Sequence, residues 1–346
     1  MYPNSRNNLR TLIVGSSHDG ALERSYQSAL ASLGLAVVEI FDPTLCRPRR
    51  PFVRPFSRAV ARLASPLLNR WAGVSLLSIL QRKSYDLVIV FKGMELAPSL
   101  IRRARSATRG ALWININPDD PLNVESRGST NSNVVRSIGL YDGYFTWSHR
   151  IIRTLRERGY THAHYLAFAY NPDYHAPPSV CNIEPESVSF IGTWDRQRER
   201  TLTRLVDVKM RIYGSSWHRV TRRSPLSTKV THRNLHGKEL CTAIYSSTVS
   251  LNLLRPQNYG AHNMRTFEIP AAGGLMLTTR SEDQNTFFPE GEASLMYGGE
   301  EEMEDQLARA FRDGFLCKRL RRNAKAISLD QTYNVRAEQL LRVLDL

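Results

Sequence analysis

The 346-residue sequence has few cysteines and no long hydrophobic run. Its four cysteines, Cys46, Cys181, Cys241 and Cys317, are too widely spaced for a metal-binding or redox motif, which argues against a disulfide scaffold and favours a reducing compartment. No run approaches the roughly 18 to 20 apolar residues of a membrane span, and the first residues lack the apolar region of a secretory signal. We therefore expect a soluble, cytoplasmic protein.

Acidic residues are also in short supply, with 32 aspartates and glutamates against 47 lysines and arginines and a net charge of +15. Such an excess suits nucleic acid, an anionic membrane or phosphate-bearing substrates. Only seven of the basic residues are lysine, and arginine is spread over the whole chain, so a preference for arginine codons explains the excess equally well. No RNA-binding aromatic motif or zinc finger accompanies the charge, and we expect no nucleic-acid partner.

One segment, residues 46–73, combines positive charge with aromatic rings. Six of its arginines are interleaved with three aromatic rings: Arg47, Arg49, Arg50, Arg54, Arg58 and Arg62 with Phe52, Phe56 and Trp71. Such a segment can lie on an anionic membrane or hold a charged acceptor, and it can equally be a solvated helix face. We predict peripheral contact with the inner face of a membrane.

β-branched runs alternate with helix-length segments along the chain. Strands are predicted at 10–17, 36–42, 86–93, 111–121, 141–148, 163–169, 187–194, 209–214, 249–254, 275–279 and 292–298. Helices are predicted between them, at 21–33, 97–108, 149–159, 195–206, 238–248 and 300–313. A linker rich in proline, at 171–186, separates the two halves. The pattern predicts an α/β protein with two Rossmann-like domains, 1–178 and 179–330, whose parallel sheets face a cleft.

A glutamate, Glu268, interrupts the otherwise apolar stretch 267–277. A carboxylate is rarely buried unless something pairs with it. Arg265 lies three residues earlier and is a fork-shaped donor suited to phosphate. We interpret Glu268 as an acceptor for the two hydroxyl groups of a ribose. The alternatives are that Glu268 is a charge at the start of a helix or pairs with Arg265.

Several segments resemble the CgeB-like (spore maturation protein) branch of the group 1 glycosyltransferases. They are FIGTWDRQRERTL at 190–202, IYGSSW at 212–217, the stretch 250–288 that contains MRTFEIPAAGG, and TYNVRAEQLL at 332–341. The resemblance is strong over 187–346. It implies the GT-B fold, with a UDP- or GDP-type nucleotide-sugar donor on the C-terminal domain and the acceptor on the N-terminal domain. It also implies that a C-terminal helix within 331–346 returns to the first domain.

The resemblance also implies roles for single residues. The donor-binding set is Gly192, Thr193, Tyr213, Gly214, Trp217, His262, Asn263, Arg265 and Glu268, with Gly192 and Thr193 at the diphosphate and Tyr213, Gly214 and Trp217 near the base. Many retaining GT-B enzymes carry a second glutamate eight residues before the ribose-binding one, where this sequence has Gly260. The contact with the sugar then passes to Tyr259, His262 or Asn263, or is absent.

The first half offers candidates for acid–base chemistry. His18 and Asp19 follow the first predicted strand, and we predict that one of them is the base for the acceptor hydroxyl. Asp119 and Asp120 follow the fourth strand, where they can be catalytic or simply part of a proline-bounded turn. We expect no metal and no resident cofactor, because arginine and a helix dipole usually stabilise the leaving diphosphate in GT-B enzymes.

These observations predict a glycosyltransferase that moves a sugar from a nucleotide-sugar to an unknown acceptor, which is lipid-linked, a protein or a polysaccharide. Two alternatives remain open. One is a nucleotide-sugar epimerase or a phosphorylase on the same fold. The other is a catalytically inactive GT-B protein with a binding or structural role, which Gly260 permits.

Overall fold

A computed structural model describes residues 8–46, 71–123, 129–255, 258 and 260–346. Most of the basic segment 46–73 and the candidate sugar contact Tyr259 lie outside the described residues, so the predictions made for them stay predictions. Within those described ranges, no helix is both long and apolar enough to cross a membrane.

The chain forms two compact units. The first comprises Met1–Ala167 and Arg336–Leu346, and the second comprises Phe168–Val335. The change of unit at residue 168 comes just before the proline-rich stretch 171–186, whereas the sequence-based boundary was placed at 178/179. The last eleven residues count with the first unit, as expected for a returning C-terminal helix.

The first unit is built on a six-stranded parallel sheet with the order β2-β1-β3-β4-β5-β6. Its strands are β1 (Arg10–Val14), β2 (Val37–Phe41), β3 (Leu87–Phe91), β4 (Leu112–Asn117), β5 (Gly143–Thr146) and β6 (Ala163–Tyr165). Its helices are α1 (Leu22–Ser32), α2 (71–82), α3 (Pro98–Ala107), α4 (Ser132–Ser137) and α5 (His149–Glu157). Every residue of β3 is buried, as expected for a central strand covered on both faces.

The second unit carries a five-stranded parallel sheet with the order β11-β10-β9-β7-β8. Its strands are β7 (Glu184–Ile191), β8 (Lys209–Tyr213), β9 (Ser247–Asn252), β10 (Met276–Thr279) and β11 (Leu295–Tyr297). Its helices are α6 (Arg196–Thr203), α7 (Gly237–Tyr245), α8 (Arg265–Ala271), α9 (Glu282–Phe287), α10 (Glu300–Arg312) and α11 (Gly314–Ser328), and α12 (Tyr333–Val343) leads back to the first unit. The predicted fold class, two parallel-sheet α/β domains, is confirmed.

The parallel arrangement decides where a site can form. Because all strands of a parallel sheet run the same way, the loops that follow them meet at one edge of the sheet. In the second unit these loops begin at Gly192, Gly214, Leu253, Arg280 and Gly298. They include three glycines, as well as two of the conspicuous motifs of the sequence, so this edge is the place to look for a ligand site.

Candidate functional site

A cavity of about 370 Å³ opens at the carboxyl edge of the second sheet. Residues from the start of α6 and from the loops after β9, β10 and β11 line it, among them Asp195, Arg198, Leu254, Gly260, Arg280 and Gly298. Its volume lies in the range of small-molecule sites, which are typically about 300 to 1,000 Å³. The lining combines charged and polar side chains with apolar ones and with glycine backbone, a surface that can bind a ligand with polar and apolar parts.

Arg198 on α6 ties two of the edge loops together. Its side chain is only 12% exposed, and it donates to the carbonyl oxygens of Thr193, at 3.0 Å, and Leu253, at 2.7 Å. The guanidinium also lies 5.4 Å from the centre of the Phe190 ring. A cation is thereby fixed where the loops after β7 and β9 meet.

Asp195 connects Arg198 with a second arginine. It caps α6 by accepting a hydrogen bond of 2.9 Å from the backbone N–H of Arg198. Its outer oxygen, Oδ2, lies 3.5 Å from Nε of Arg198 and 3.5 Å from Nε of Arg255. Among the described residues, none of these three buried atoms has a hydrogen-bond partner. Buried N–H groups in this state have capacity left for an anion.

A third arginine, Arg265, begins α8. Its Nε donates to the carbonyl oxygen of Ile191 at 3.1 Å, and its Nη1 donates to the carboxylate of Glu268. About a quarter of the side chain is exposed. The pairing of Arg265 with Glu268, one of the alternatives open from the sequence, is therefore present in the structure.

The three arginines influence one another's protonation. Burial lowers the pKa of Arg198 to about 10, and the charge of Arg255 contributes to the lowering. Burial also lowers the pKa of Arg265 to about 10, with a contribution from Arg198. Arg198 and Arg265 stay protonated at neutral pH, and within the described ranges the carboxylate partners of the three arginines are Asp195 and Glu268. The cluster therefore has a net positive charge, which attracts an anion such as a diphosphate.

Glu268 is only 3% exposed and lies between two partners. Arg265 binds one of its oxygens, and Nε2 of His175 lies 3.5 Å from the other. His175 comes from the proline-rich stretch that follows the change of unit. Its burial lowers the pKa of His175 to about 4, and the charge of Arg265 opposes protonation as well. The imidazole is therefore neutral at physiological pH and supports the carboxylate without adding charge.

This arrangement predicts a stability that falls with acid. The pKa of His175 is about 4 in the folded protein, against 6.5 for a free histidine side chain. Between pH 4 and pH 6.5 the unfolded chain therefore binds more protons at this residue than the folded protein does. Stability is complete above pH 6.5 and is lost as the pH falls towards 4. Acidification from about pH 7 to about pH 4.5 should cost about 2 to 3 kcal/mol through this group. Urea denaturation of the wild type and of His175→Gln at both pH values measures it. An equal loss in both proteins would assign the acid sensitivity to other groups.

Comparison with known proteins identifies the architecture. Residues 196–342 match the family model described as "Glycosyl transferase-like". Sucrose-phosphate synthase from Thermosynechococcus elongatus is 14% identical with a TM-score of 0.72, over 97% of this chain and 98% of that one. HepE from Anabaena, solved with UDP-glucose, is 12% identical with a TM-score of 0.64, over 98% of this chain and 100% of that one. A glycosyltransferase from Rickettsia africae is 14% identical with a TM-score of 0.64, over 97% of this chain and 98% of that one. No curated protein matches the sequence.

The fold is GT-B, and residues 196–342 match a glycosyltransferase family model. The solved structures show the fold of the chain, and the family model supports the broader group 1 glycosyltransferases. The prediction of a glycosyltransferase is confirmed at this level. The CgeB-like branch stays a prediction.

In this GT-B protein the backbone of two predicted donor-binding glycines is tightly packed. Gly214 has a φ of 127°, and a Cβ on it would lie 2.1 Å from the carbonyl oxygen of Gly192. Only glycine fits there. Next to it, Thr193 accepts a hydrogen bond of 3.0 Å from Ser215, and Tyr213 is partly exposed at the end of β8. The edge therefore keeps Gly192, Thr193, Tyr213 and Gly214 together, as the prediction requires.

Trp217 lies in the core of the GT-B protein's second unit. The side chain is 1% exposed and belongs to the apolar cluster with Phe190 and Leu226. Its Nε1 donates to the carbonyl oxygen of Gly192 at 2.8 Å. Because the Trp217 ring is buried, it has no surface on which a base could stack. Its contact with the Gly192 carbonyl oxygen instead supports the loop after β7.

His262 is likewise enclosed. It is 0% exposed, its Nδ1 lies 2.8 Å from a carboxylate oxygen of Asp283, and its Nε2 accepts the backbone N–H of Phe168 at 3.1 Å. Asn263 contacts Asn252 and Thr266 by hydrogen bonds of 2.8 and 3.2 Å, and so fixes the start of α8. The prediction that His262 binds the donor does not fit this burial, because both ring nitrogens are engaged within the protein. Asn263 keeps part of its surface exposed.

The acid–base candidates lie at the carboxyl edge of the first sheet. His18 and Asp19 are both exposed, and the His18 Nδ1 lies 2.9 Å from the backbone oxygen of Asp19. Asp119 and Asp120 each form an ion pair, with Lys92 at 2.7 Å and with Arg150 at 3.0 Å. All four groups therefore follow strands of one sheet, and the aspartates 119 and 120 are held by cations.

Four charged residues near the predicted site residues were not identified from the sequence. Lys92, which follows β3 with an unusual φ of 58°, was not singled out, nor were Arg198, Arg255 and Asp195. The available signal was positional, because each of them lies within four residues of a predicted strand end. In a chain with arginine throughout, that position alone did not separate them from surface residues.

Proposed function

We propose that this protein transfers a sugar from a nucleoside-diphosphate sugar, and that the arginine cluster at the carboxyl edge of the second sheet holds the diphosphate. The observation that carries the proposal is the convergence of Arg255 and Arg265 on Arg198, which lines the cavity. The buried Nε groups of Arg198 and Arg255 lack hydrogen-bond partners among the described residues. HepE, which shares the fold, was solved with UDP-glucose, and this supports a donor of the UDP type.

The chemistry follows from where charge develops. During transfer the bond between the sugar C1 and the diphosphate oxygen breaks, and the acceptor oxygen forms a bond to C1. Negative charge grows on the diphosphate, and fixed cations at that position lower the barrier. The acceptor hydroxyl loses its proton to a base, for which His18 and Asp19 remain our proposal. Glu268 holds Arg265 in place, and its contact with the ribose, predicted from the sequence, stays part of the proposal.

One feature favours a second candidate, a GT-B protein that binds the donor without turnover. Gly260 lines the cavity at the position where many retaining enzymes carry a sugar-binding glutamate. It has a φ of 80°, and among the described residues no atom lies within 4 Å of a Cβ placed on it. The position thus leaves room for a sugar but offers no carboxylate to it.

A donor assay separates these candidates. The purified chain is incubated with UDP-glucose, UDP-N-acetylglucosamine and GDP-mannose, and nucleoside diphosphate release is followed together with binding by calorimetry. We expect slow release from one donor, by transfer to water in the absence of the acceptor. Binding without any release, also after addition of lipid, protein and polysaccharide acceptors, would favour the non-enzymatic candidate. A changed sugar configuration, seen by NMR, would favour an epimerase.

A further inference from the structure

An exposed phenylalanine marks the corner where α10 meets α11. Asp313 is the only residue between the two helices, and its side chain caps α11 by accepting the N–H of Leu316 at 2.9 Å. The next residue but one, Phe315, is 90% exposed. A phenylalanine held almost wholly in water forgoes the stabilisation that burial of its ring provides. An exposed ring of this size therefore needs an explanation outside the folded unit.

Basic side chains surround this ring. Arg309 and Arg312 at the end of α10 and Lys318, Arg319 and Arg322 on α11 are exposed, and together with Phe315 we name them the basic corner. A shallow cavity of about 570 Å³ runs between most of them. Asp313 is the acidic residue that lines it, so the five cations outweigh one carboxylate.

The cations of the basic corner lack the glutamate partners that several exposed arginines have elsewhere in the unit. Arg204, Arg233 and Arg280 each contact a glutamate at 2.8 Å or less. In the basic corner, Arg312 and Arg319 each donate to one backbone carbonyl oxygen. In the part of the chain that the structure describes, none of the five forms an ion pair. Their charge is therefore available to an external anionic surface.

The opposite side of α11 is committed to the core. Leu316, Cys317 and Leu320 belong to the apolar cluster of the second unit, and Ala324 is fully buried. Arg321 is buried as well and donates to the carbonyl oxygens of Tyr245, Ser247 and Thr248. The basic corner is thus the outward face of a helix whose inward face is fixed, which gives a rigid platform.

We infer that the basic corner docks the second unit on an anionic membrane surface, with the Phe315 ring among the lipid headgroups and the cations on lipid phosphates. Charge complementarity selects this occupant, since flexible arginine and lysine side chains around a protruding aromatic ring match an interfacial site. A lone exposed ring without an apolar groove fits the disordered headgroup layer better than the packed surface of a protein. This surface is distinct from the proposed donor site and from segment 46–73.

Co-sedimentation of the full chain with vesicles tests the inference. Vesicles of phosphatidylcholine mixed with phosphatidylglycerol should bind the wild type at low salt, and vesicles of phosphatidylcholine alone should not. Each cation near such a surface contributes about a fivefold change in partitioning, so Arg319→Gln with Arg322→Gln should weaken binding about 25-fold. Phe315→Ser should weaken it about tenfold. Arg319→Lys with Arg322→Lys, which keeps the charge, should bind like the wild type.

A matched pair elsewhere in the unit provides the control. Arg222→Gln with Arg223→Gln removes two exposed arginines that lie outside the basic corner, and vesicle binding should change less than in the corner variants. Equal binding by wild type and corner variants would overturn the inference and assign vesicle binding to segment 46–73. A wild type that stays in the supernatant with anionic vesicles at low salt would overturn it too, and would leave an acidic protein as the partner to seek. Circular dichroism confirms that each variant folds.

Discussion

Turnover of the nucleotide-sugar should fall about 100-fold or more when Arg265 is replaced by alanine, the effect expected when one fixed donor to a developing anion is removed. Arg265 supplies a cation close to Arg198, which lines the cavity, and its Nε donates to the carbonyl oxygen of Ile191. Arg265→Lys should recover only part of the activity, because lysine has a point charge but no fork. Initial rates of nucleoside diphosphate release measure both variants.

Two control measurements distinguish a loss of catalysis from a loss of folding. Loss of Arg265 leaves the buried Glu268 without its cation, so the variant has to be compared with the wild type in urea denaturation. Arg222→Ala, at an exposed position of the same unit, is the matched control and should retain the wild-type rate. Full turnover by a folded Arg265→Ala protein would show that Arg265 serves only to neutralise Glu268.

Glu268→Ala should weaken the binding of UDP by about 1.5 to 3 kcal/mol, or about 10- to 150-fold, as for the loss of one charged hydrogen bond. Two routes lead to this result. The carboxylate can bind the ribose hydroxyls directly, as the sequence suggested. It can also act indirectly, because Glu268 binds Nη1 of Arg265 and thereby sets the direction of the guanidinium.

Deoxy analogues of the ligand distinguish the two routes. If Glu268 binds the ribose, wild-type protein should prefer UDP over 2′-deoxy- and 3′-deoxy-UDP, and Glu268→Ala should lose this preference. If Glu268 only positions Arg265, the preference should be the same in both proteins while the affinity for every diphosphate falls. Calorimetry with the three ligands gives the answer. Equal UDP affinity in wild type and variant would remove Glu268 from the site altogether.

The order of the strands and of most helices along the chain was predictable because each of these elements has a clear local sequence pattern. β3, with five consecutive buried apolar residues, and α10, with its three leading glutamates, are typical cases. The short helices α4 and α9 were missed because six residues hold less than two turns of periodicity. α11 was missed because a single residue, Asp313, separates it from α10. The sequence has no proline and no glycine-rich loop there that would indicate the end of one helix and the start of the next.

The site was predictable only where backbone geometry demands a particular residue. The close approach of Gly214 to Gly192 requires a glycine at position 214, and a glycine at the end of a predicted strand can be recognised in the sequence. The burial of Trp217 and His262 and the convergence of three arginines depend on residues far apart in the chain. Asp195 and Arg255, for example, are 60 positions apart and meet at 3.5 Å. A single sequence holds no local trace of such a contact.

The position of α12 has a consequence for biosynthesis. Residues 336–346 belong to the first unit, and their side chains at Ala337, Leu340 and Leu341 are fully buried. A ribosome delivers domains from the N-terminus onwards, and each usually folds as it emerges. Here the second unit leaves the ribosome complete while the first still lacks its last helix. Part of the apolar surface of the first unit therefore stays exposed until the second unit has been synthesised. A chaperone would bind the chain most usefully during this interval.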